Sequence, residues 1–312
     1  MNPAIEELLH IVEKDPLPAA DTSSYWSIYG GNTIVERHGD NLNLSGSGFG
    51  YIYAGGHRGK AAAVLERLTY WPVTARLRSH ASIWKKAKRL ANDLSFDLTF
   101  DVWKQSVALS LLADHWAANN LSPRIFAVIG DGYGFLGALI RRQFPDSRIY
   151  SIDLPKILVF QAHSHELVDG GASMSIMSEK SAPADITFVQ PKDIETIPDQ
   201  IDCAFNIASM QEMNDHSISS YFKFLRDRST PTSRFYCVNR QHKELPGGEI
   251  RTFIDYPWQN DDEVFIDGRC PYYTHIAGHT ESNGPRIFGV RIPFINHFDG
   301  PIMHRLVHLA PI

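Results

Sequence analysis

The chain has 312 residues, of which 43% are hydrophobic and 21% charged, and these values exclude a mostly disordered chain and a coiled coil. Its 30 Lys and Arg against 35 Asp and Glu give a formal net charge of −5, so the chain as a whole lacks the positive field that holds a polyanion. The three cysteines are far apart and form no CxxC pair, which argues against a disulfide framework and against a cysteine zinc site. We therefore expect a cytoplasmic protein without a nucleic-acid partner.

The first part of the chain predicts a mostly helical region, residues 1–120. Apolar positions at helical spacing over 3–14, followed by Pro16 and Pro18, predict a short helix, and acidic residues within it are unlike a signal peptide. Residues 23–59 are rich in Gly, Ser, Asn and aromatics, which favours loops and a short hairpin. Residues 60–120 show helical periodicity, and no run reaches the ~18 apolar residues of a membrane span. We expect no membrane partner.

From Arg124 onward, short apolar runs of strand length alternate with helical patterns. This alternation predicts a doubly wound α/β domain over residues 121–312, with a parallel sheet covered by helices on both faces. The segment PRIFGVRIPF, 285–294, predicts the last strand.

A glycine-rich turn, VIGDGYGFLG, follows the first apolar strand and opens a helix. Gly130, Gly132 and Gly134 alternate in it, and glycine is needed where a chain turns tightly or where a Cβ would obstruct a ligand. Asp153 ends the next strand, 19 residues beyond Gly134, where a carboxylate can accept hydrogen bonds from ribose hydroxyls. Turn and acid together predict a nucleoside site.

The glycines alone leave two cofactor classes open. Gly132, Gly134 and Gly137 satisfy GxGxxG, the dinucleotide pattern of an NAD-dependent oxidoreductase. Gly130, Gly132 and Gly134 equally satisfy GxGxG, which leaves room for the methionine part of S-adenosylmethionine. A turn that serves only packing is the third alternative.

Four segments in order carry a resemblance: IGDGYGFLGALI (129–140), YSIDLP (150–155), FNIASMQEM (205–213) and FYCVNR (235–240). With them the chain resembles the class I S-adenosylmethionine-dependent methyltransferases, and more narrowly the sugar O-methyltransferase family of bacteria. The resemblance implies a Rossmann-like, mostly parallel seven-stranded sheet, S-adenosylmethionine as cofactor, and an acceptor that is a sugar or glycosylated small molecule. That family usually has an acidic residue two positions before the first glycine, where this chain has Val128. A catalytically inactive, methyltransferase-like binding protein is therefore a further alternative.

The resemblance also implies roles for individual residues. Gly130, Gly132 and Gly134 would approach the methionine and ribose, with Asp131 as a partial substitute for the missing acid. Asp153 would hold the ribose, and Leu154 and Gln190 would meet the adenine. Asn206 to Ser209 would lie beneath the sulfonium. Capping of the next helix from the end of the strand is an equally good explanation for Asn206 and Ser209.

Methylation of a hydroxyl requires alignment of the acceptor oxygen and removal of its proton. In open α/β sheets the groups for this lie beyond the carboxyl ends of the strands, which favours Glu212 as base or orienting group, followed by His216 and His242. Arg240, Tyr256 and Trp258 are candidates for binding the acceptor. Solvent-exposed positions are the competing interpretation for both histidines and for Arg240, as packing is for the aromatic residues.

Two histidine pairs have i, i+4 spacing, His275 with His279 and His304 with His308, but neither carries the glutamate of HExxH, so we predict no histidine metal site. Mg²⁺ held by Asp215 with Glu212 is a less favoured arrangement. The Gly-rich segment 45–56 is the candidate lid. The sequence leaves a homo-oligomer open.

Overall fold

The structure is a computed structural model, and it describes residues 1–39, 41–46, 48–49, 60–178, 184–277, 284–287, 289–292, 295–298 and 300–311. The helices are α1 (Pro3–Lys14), α2 (Ser24–Tyr29), α3 (Lys60–Thr69), α4 (Trp71–Thr74), α5 (His80–Asp93), α6 (Phe100–Ala118), α7 (Phe135–Gln143), α8 (Pro155–Val168) and α9 (Asp215–Asp227). The strands are β1 (Ile34–His38), β2 (Asn41–Ser45), β3 (Ile125–Ile129), β4 (Arg148–Ile152), β5 (Met174–Ile176), β6 (Ile186–Val189), β7 (Cys203–Ile207), β8 (Arg234–Arg240), β9 (His242–Glu244), β10 (Ile250–Thr252), β11 (Glu263–Arg269), β12 (His275–Ala277), β13 (Arg286–Ile287), β14 (Val290–Arg291), β15 (Ile295–His297) and β16 (Ile302–His308). Short 3₁₀ helices cover Pro191–Thr196, Met210–Glu212 and Phe253–Asp255.

The central sheet has eight strands in the order β11-β16-β8-β7-β3-β4-β6-β5, and every neighbouring pair from β8 to β5 is parallel. Taken in chain order, β3, β4, β6, β7 and β8 are arranged 3-2-1-4-5, which is the Rossmann order. The predicted doubly wound, Rossmann-like α/β fold is confirmed. The sheet has one strand more than the predicted seven, because β5 adds three residues at its edge.

The parallel strands form where the sequence has short, continuous apolar runs. All four residues of β6 are buried, as are four of the five in β3 and in β4. Continuous burial is expected where helices cover both faces of a parallel sheet. This is why the strands were predictable from residue type alone.

By contact density the chain divides into two units. One comprises residues 1–50, 123–268 and 303–312, and the other comprises 51–122 and 269–302. The boundary predicted near residue 120 lies close to one of these crossings. Residues 1–50 nevertheless group with the sheet, because Ile5 and Leu8 of α1 pack with Leu158 of α8.

The second unit combines the helices α3 to α6 with the short strands after residue 269. The Tyr70 ring stacks on His275 with centroids 4.0 Å apart, and the backbone N–H of His275 donates to the Tyr70 hydroxyl. Thr99 caps α6 as predicted, since its side chain accepts from the backbone N–H of Val102.

Two predictions about elements were wrong, and one strand of the sheet was not predicted. The segment 285–294 contains the two-residue strands β13 and β14, which pair antiparallel next to Gly289 at φ +79°, and the last strand of the sheet is β16. β11 was not predicted, because its half-exposed residues carry a weak apolar signal. Within the segment expected to form loops, α2 forms a helix because the Ser23 side chain caps it.

No helix in the described part of the chain is both long enough and apolar enough to cross a membrane.

Candidate functional site

The predicted cofactor-binding residues lie at one edge of the sheet. The glycine turn follows β3, Asp153 follows β4, and Gln190 follows β6. Asn206 is the residue before the last one of β7, and Arg240 ends β8. Because these five strands are parallel, their carboxyl ends meet at the same edge, where open α/β sheets bind ligands.

Each of the three alternating glycines adopts a backbone conformation that other residues avoid. The φ angles are +77° at Gly130, +60° at Gly132 and +78° at Gly134. A Cβ would lie 1.9 Å from Ser209 Oγ at the first, 2.4 Å from the Phe49 carbonyl oxygen at the second and 2.8 Å from Gln161 Cα at the third. Close approaches within the chain therefore require glycine at all three positions.

Asp131 lies inside this turn and supports the helix that follows it. Its two carboxylate oxygens accept from the backbone N–H of Leu136 (2.9 Å) and of Gly137 (2.7 Å) at the start of α7, whose N-cap residue Gly134 has no side chain to do so. Burial raises the pKa of Asp131 to about 7. The structure thus gives Asp131 a role in holding the turn against α7.

Asp153 is a buried acid next to the turn. Its Oδ1 accepts from the backbone N–H of Leu154 at 2.9 Å, and its Oδ2 accepts from Gln161 Nε2 at 2.8 Å. Burial raises the pKa of Asp153 to about 7, and the nearby Asp131 carboxyl adds to this. The Gln161 Oε1 is buried without a hydrogen-bond partner in the described part of the chain.

Aromatic residues from the first 50 residues line the approach to the turn. Leu154 packs in one cluster with Trp26 and Ile157. The Phe49 ring lies 4.7 Å from the ring of Tyr133, and the Tyr133 hydroxyl donates to the carbonyl of Gly46. Of the candidate lid, residues 45, 46, 48 and 49 are described, whereas 47 and 50–56 lie outside the described residues.

Gln190 is buried at the end of β6, and its Nε2 donates to Asp193 at 3.3 Å.

Asn206 connects the ends of three strands. Its Nδ2 donates to the Ile129 carbonyl, and its Oδ1 accepts from Asn239 Nδ2 and from the backbone N–H of Met210. This last contact is the capping role that competed with cofactor binding. Between Asn206 and the half-buried Ser209, Ala208 has φ +61°, a strained conformation of the kind found at functional sites.

Glu212 is buried beside this edge and is held from two sides. Lys243 Nζ lies 2.6 Å from its Oε1 and 4.3 Å from the centroid of the Tyr25 ring. The Ser23 hydroxyl donates to its backbone carbonyl. An ammonium in this position fixes the direction of the carboxylate, so Glu212 is an oriented acid held in an ion pair.

The other two predicted catalytic residues, His216 and His242, are solvent-exposed. His216 is the second residue of α9, and the side chain of Asn214 caps this helix by accepting from the backbone N–H of Ser217. Arg240 is half-buried, and its backbone N–H donates to Gln211 Oε1 at 2.7 Å.

Of the two candidate acceptor-binding aromatics, Tyr256 lies in the core cluster of the sheet and Trp258 is partly buried against it. The Trp258 ring lies 4.8 Å from Phe222, and its Nε1 donates to the Phe253 carbonyl. Tyr256 is 6% exposed and packs against Phe222 and Phe253. These contacts give both rings a packing role, and their position does not support acceptor binding.

Three of the four paired histidines, His275, His304 and His308, lie on strands. His304 lies on β16 with its Nδ1 3.0 Å from the Tyr236 hydroxyl, because the segment pairs with the sheet and does not form the helix that i, i+4 spacing assumes. His275 lies on β12, and His279 lies outside the described residues. Within the described ranges, no three His, Cys, Asp or Glu side chains form a group that could hold a metal ion.

Several solved structures align with this chain at low similarity, and some of them are described as methyltransferases. A precorrin-6y C5,15-methyltransferase from Geobacter metallireducens aligns at 12% identity over 62% of this chain and 84% of its own, with a TM-score of 0.37. TehB from Haemophilus influenzae aligns at 14% identity over 62% and 60%, with a TM-score of 0.41. A coclaurine N-methyltransferase bound to N-methylheliamine and S-adenosylhomocysteine aligns at 12% over 53% and 51%, with a TM-score of 0.35. The sequence matches no family model and no curated protein.

Two residues at this edge had not been predicted. Lys243 stands between His242 and Glu244, and the period of two along β9 turns it inward while both neighbours are exposed, so strand alternation is the signal that could have found it. Gln161 lies on α8, eight residues after Asp153, and no local pattern identifies it. Phe49 lies in the candidate lid, but its contact with Gly132 was not predicted.

Proposed function

We propose that this protein is an S-adenosylmethionine-dependent O-methyltransferase acting on a hydroxyl of a sugar or glycosylated small molecule. One observation supports this choice of cofactor: the buried Asp153 carboxyl lies beside the left-handed glycine turn. Both are at the carboxyl edge of a sheet with the Rossmann strand order. The acceptor class rests on the sequence resemblance alone.

The residues at this edge fit an adenosyl group. The two carboxylate oxygens of Asp153 together have about four lone-pair sites, so Asp153 retains acceptor capacity for a ribose hydroxyl beyond the bonds from Leu154, Gln161 and Gly132. The buried, unpaired Gln161 Oε1 is a further acceptor at the same place. Leu154, packed with Trp26, offers the apolar wall that a flat base needs, and Gln190 a polar edge. The part of the N-terminal region that would cover this site is residues 1–50.

When bound, S-adenosylmethionine would supply a methyl group on a positively charged sulfur together with its leaving group. This chain must then orient the acceptor hydroxyl and receive its proton. We assign this role to Glu212, with Lys243 as the residue that positions its carboxylate. The exposed His216 and His242 remain secondary candidates, Arg240 a candidate for holding a polar acceptor, and Mg²⁺ at Glu212 and Asp215 a less favoured addition.

Titration calorimetry on the purified chain tests the cofactor class. We expect S-adenosylhomocysteine to bind with micromolar affinity and NAD not to bind. NAD binding without S-adenosylhomocysteine binding would replace the proposal with an oxidoreductase. Failure of both to bind at millimolar concentration would favour a binding protein with a degenerate site, consistent with Val128 where an acid is usual.

Two variants separate the assigned roles. Asp153→Ala should weaken S-adenosylhomocysteine binding at least ten-fold, because it removes the ribose acceptor. Glu212→Gln should leave that binding within two-fold and lower the turnover number for methylation of a sugar acceptor by ~10²-fold, the scale of general base catalysis. The reverse pattern would show that the two roles are misassigned.

A further inference from the structure

One segment of the second unit differs sharply in charge from the rest of the chain. Residues 67–92 contain seven Lys and Arg and no Asp or Glu, in a protein whose formal net charge is −5. Five of the seven, Arg76, Arg78, Lys85, Lys88 and Arg89, are exposed. Within the described part of the chain, none of these five is in an ion pair.

The cations of α5 lie on one side of that helix. Lys85, Lys88 and Arg89 fall within an arc of about 100°, given 3.6 residues per turn. The opposite side, which includes Ile83, Ala87 and Leu90, is fully buried in the fold. The exposed face of α5 is therefore a solvated cationic surface on a rigid support.

Exposed apolar side chains adjoin this surface. Val64 and Leu68 on α3 are 53% and 61% exposed, and Trp71 at the start of α4 is 66% exposed. The two groups are connected through Trp84, whose ring has the Arg67 guanidinium at 5.2 Å and Lys88 Nζ at 5.9 Å. Together we name these exposed cations and apolar side chains of α3, α4 and α5 the α3–α5 surface.

We propose that the α3–α5 surface binds a bilayer that contains anionic phospholipid. Its unpaired cations match the negative phosphates of such a membrane. Val64, Leu68 and Trp71 can enter the headgroup region, where tryptophan is favoured because its ring is apolar and its N–H polar. A nucleic acid would use the cations but would not need exposed Val and Leu. The expectation of no membrane partner rested on the absence of a ~18-residue apolar run, which a peripheral surface does not require.

Sedimentation of the full chain with vesicles tests this proposal. We expect binding to vesicles of phosphatidylglycerol and phosphatidylcholine that weakens as salt increases, and little binding to phosphatidylcholine alone. Each cation near an anionic surface contributes roughly five-fold in affinity. The triple variant Lys85→Gln, Lys88→Gln, Arg89→Gln should therefore bind at least ten-fold more weakly, and Leu68→Ser with Trp71→Ser should weaken binding at least three-fold.

A triple variant with the same charge change at exposed sites elsewhere, Lys14→Gln, Arg124→Gln, Arg269→Gln, is the matched control and should bind as the unmodified chain does. Circular dichroism would verify that all variants fold. Equal losses in both triple variants, or equal binding to neutral vesicles, would overturn the proposal. Tight binding of a single-stranded RNA, with an affinity that the Leu68 and Trp71 substitutions leave unchanged, would also overturn it. That result would identify a nucleic-acid surface instead.

Discussion

At the scale of single residues, the buried carboxyl of Asp153 is the group on which the proposed site depends most. Its pKa is raised to about 7 because burial disfavours the charged form, and its Oδ2 is held by Gln161. A folded protein that keeps this proton, while the unfolded chain releases it near pH 4, loses stability as the pH rises from about 4 to about 7. Above that range both states are ionised and Asp153 causes no further change.

We compare the free energy of unfolding of Asp153→Asn with that of the unmodified chain. This difference should shift in favour of the variant by about 2 kcal/mol as the pH is raised from 5 to 7, because asparagine does not ionise. An asparagine at this position can still accept from the Leu154 N–H, and the unpaired Gln161 Oε1 can accept from its amide. Urea unfolding of both proteins without ligand, at several pH values, measures the difference.

The matched control for that comparison is Asp185→Asn. Hydrogen bonds from Ser173 hold the pKa of Asp185 below its usual value, so its contribution to stability is lost only below about pH 4. Its stability difference from the unmodified chain should stay constant between pH 5 and pH 7. Parallel curves for Asp153→Asn over this range would show that the carboxyl of Asp153 is not protonated in the fold.

At the scale of elements, the turn between β3 and α7 combines a left-handed backbone with close contacts. Gly132 illustrates both, since its φ is +60° and a Cβ would lie 2.4 Å from the Phe49 carbonyl oxygen. Asp131, accepting from Leu136 and Gly137, replaces the side-chain cap that Gly134 cannot offer. The conformation of the turn therefore depends on its left-handed glycines, on the bonds from α7 to Asp131 and on the contact with Phe49.

Gly132→Ala should destabilise the protein by about 2–4 kcal/mol. The variant has both the backbone cost of an alanine in the left-handed conformation and a steric clash with Phe49. Gly248→Ala provides the control: φ is +87° there, but no atom lies within 4 Å of the added Cβ, so only the backbone cost of about 1–2 kcal/mol applies. Chemical denaturation of both variants gives the comparison. Equal losses would mean that Phe49 does not lie against Gly132 in solution.

At the scale of the whole sheet unit, one buried ion pair connects segments that are far apart in the chain. Arg226 on α9 binds both carboxylate oxygens of Asp262, at 2.6 and 2.9 Å, and both side chains are 2% exposed. The guanidinium also donates to the carbonyls of Pro257 and Ala310. This network joins α9, the loop before β11 and the segment after β16.

Asp262→Ala should reduce the free energy of unfolding by about 3–5 kcal/mol, because it leaves the Arg226 charge buried without a partner. The double variant Arg226→Met with Asp262→Leu should lose much less, since apolar side chains of similar size replace a pair that is costly to desolvate. Denaturation with guanidinium chloride compares the two. A loss below 1 kcal/mol for the single variant would contradict the assigned role of this network.

The sequence by itself determined the five parallel strands, the glycine turn and the acid after β4. These features follow from local properties, namely continuous apolar runs, the left-handed conformations that only glycine adopts easily, and the spacing between one strand end and the next. Local order was also enough for α1, whose apolar positions and cap lie within 13 consecutive residues.

Only the tertiary structure decided which side chains face the site and which face solvent or the core. Lys243 turns toward Glu212 while His242 turns outward, and Phe49 reaches Gly132. Tyr256 lies in the core, and Trp258 packs against it. The last sheet strand, β16, was likewise not predicted, because it lies beside β8 in the sheet but follows it in the chain by more than sixty residues. Such contacts depend on how distant segments pack, which neither residue type nor spacing along the chain records.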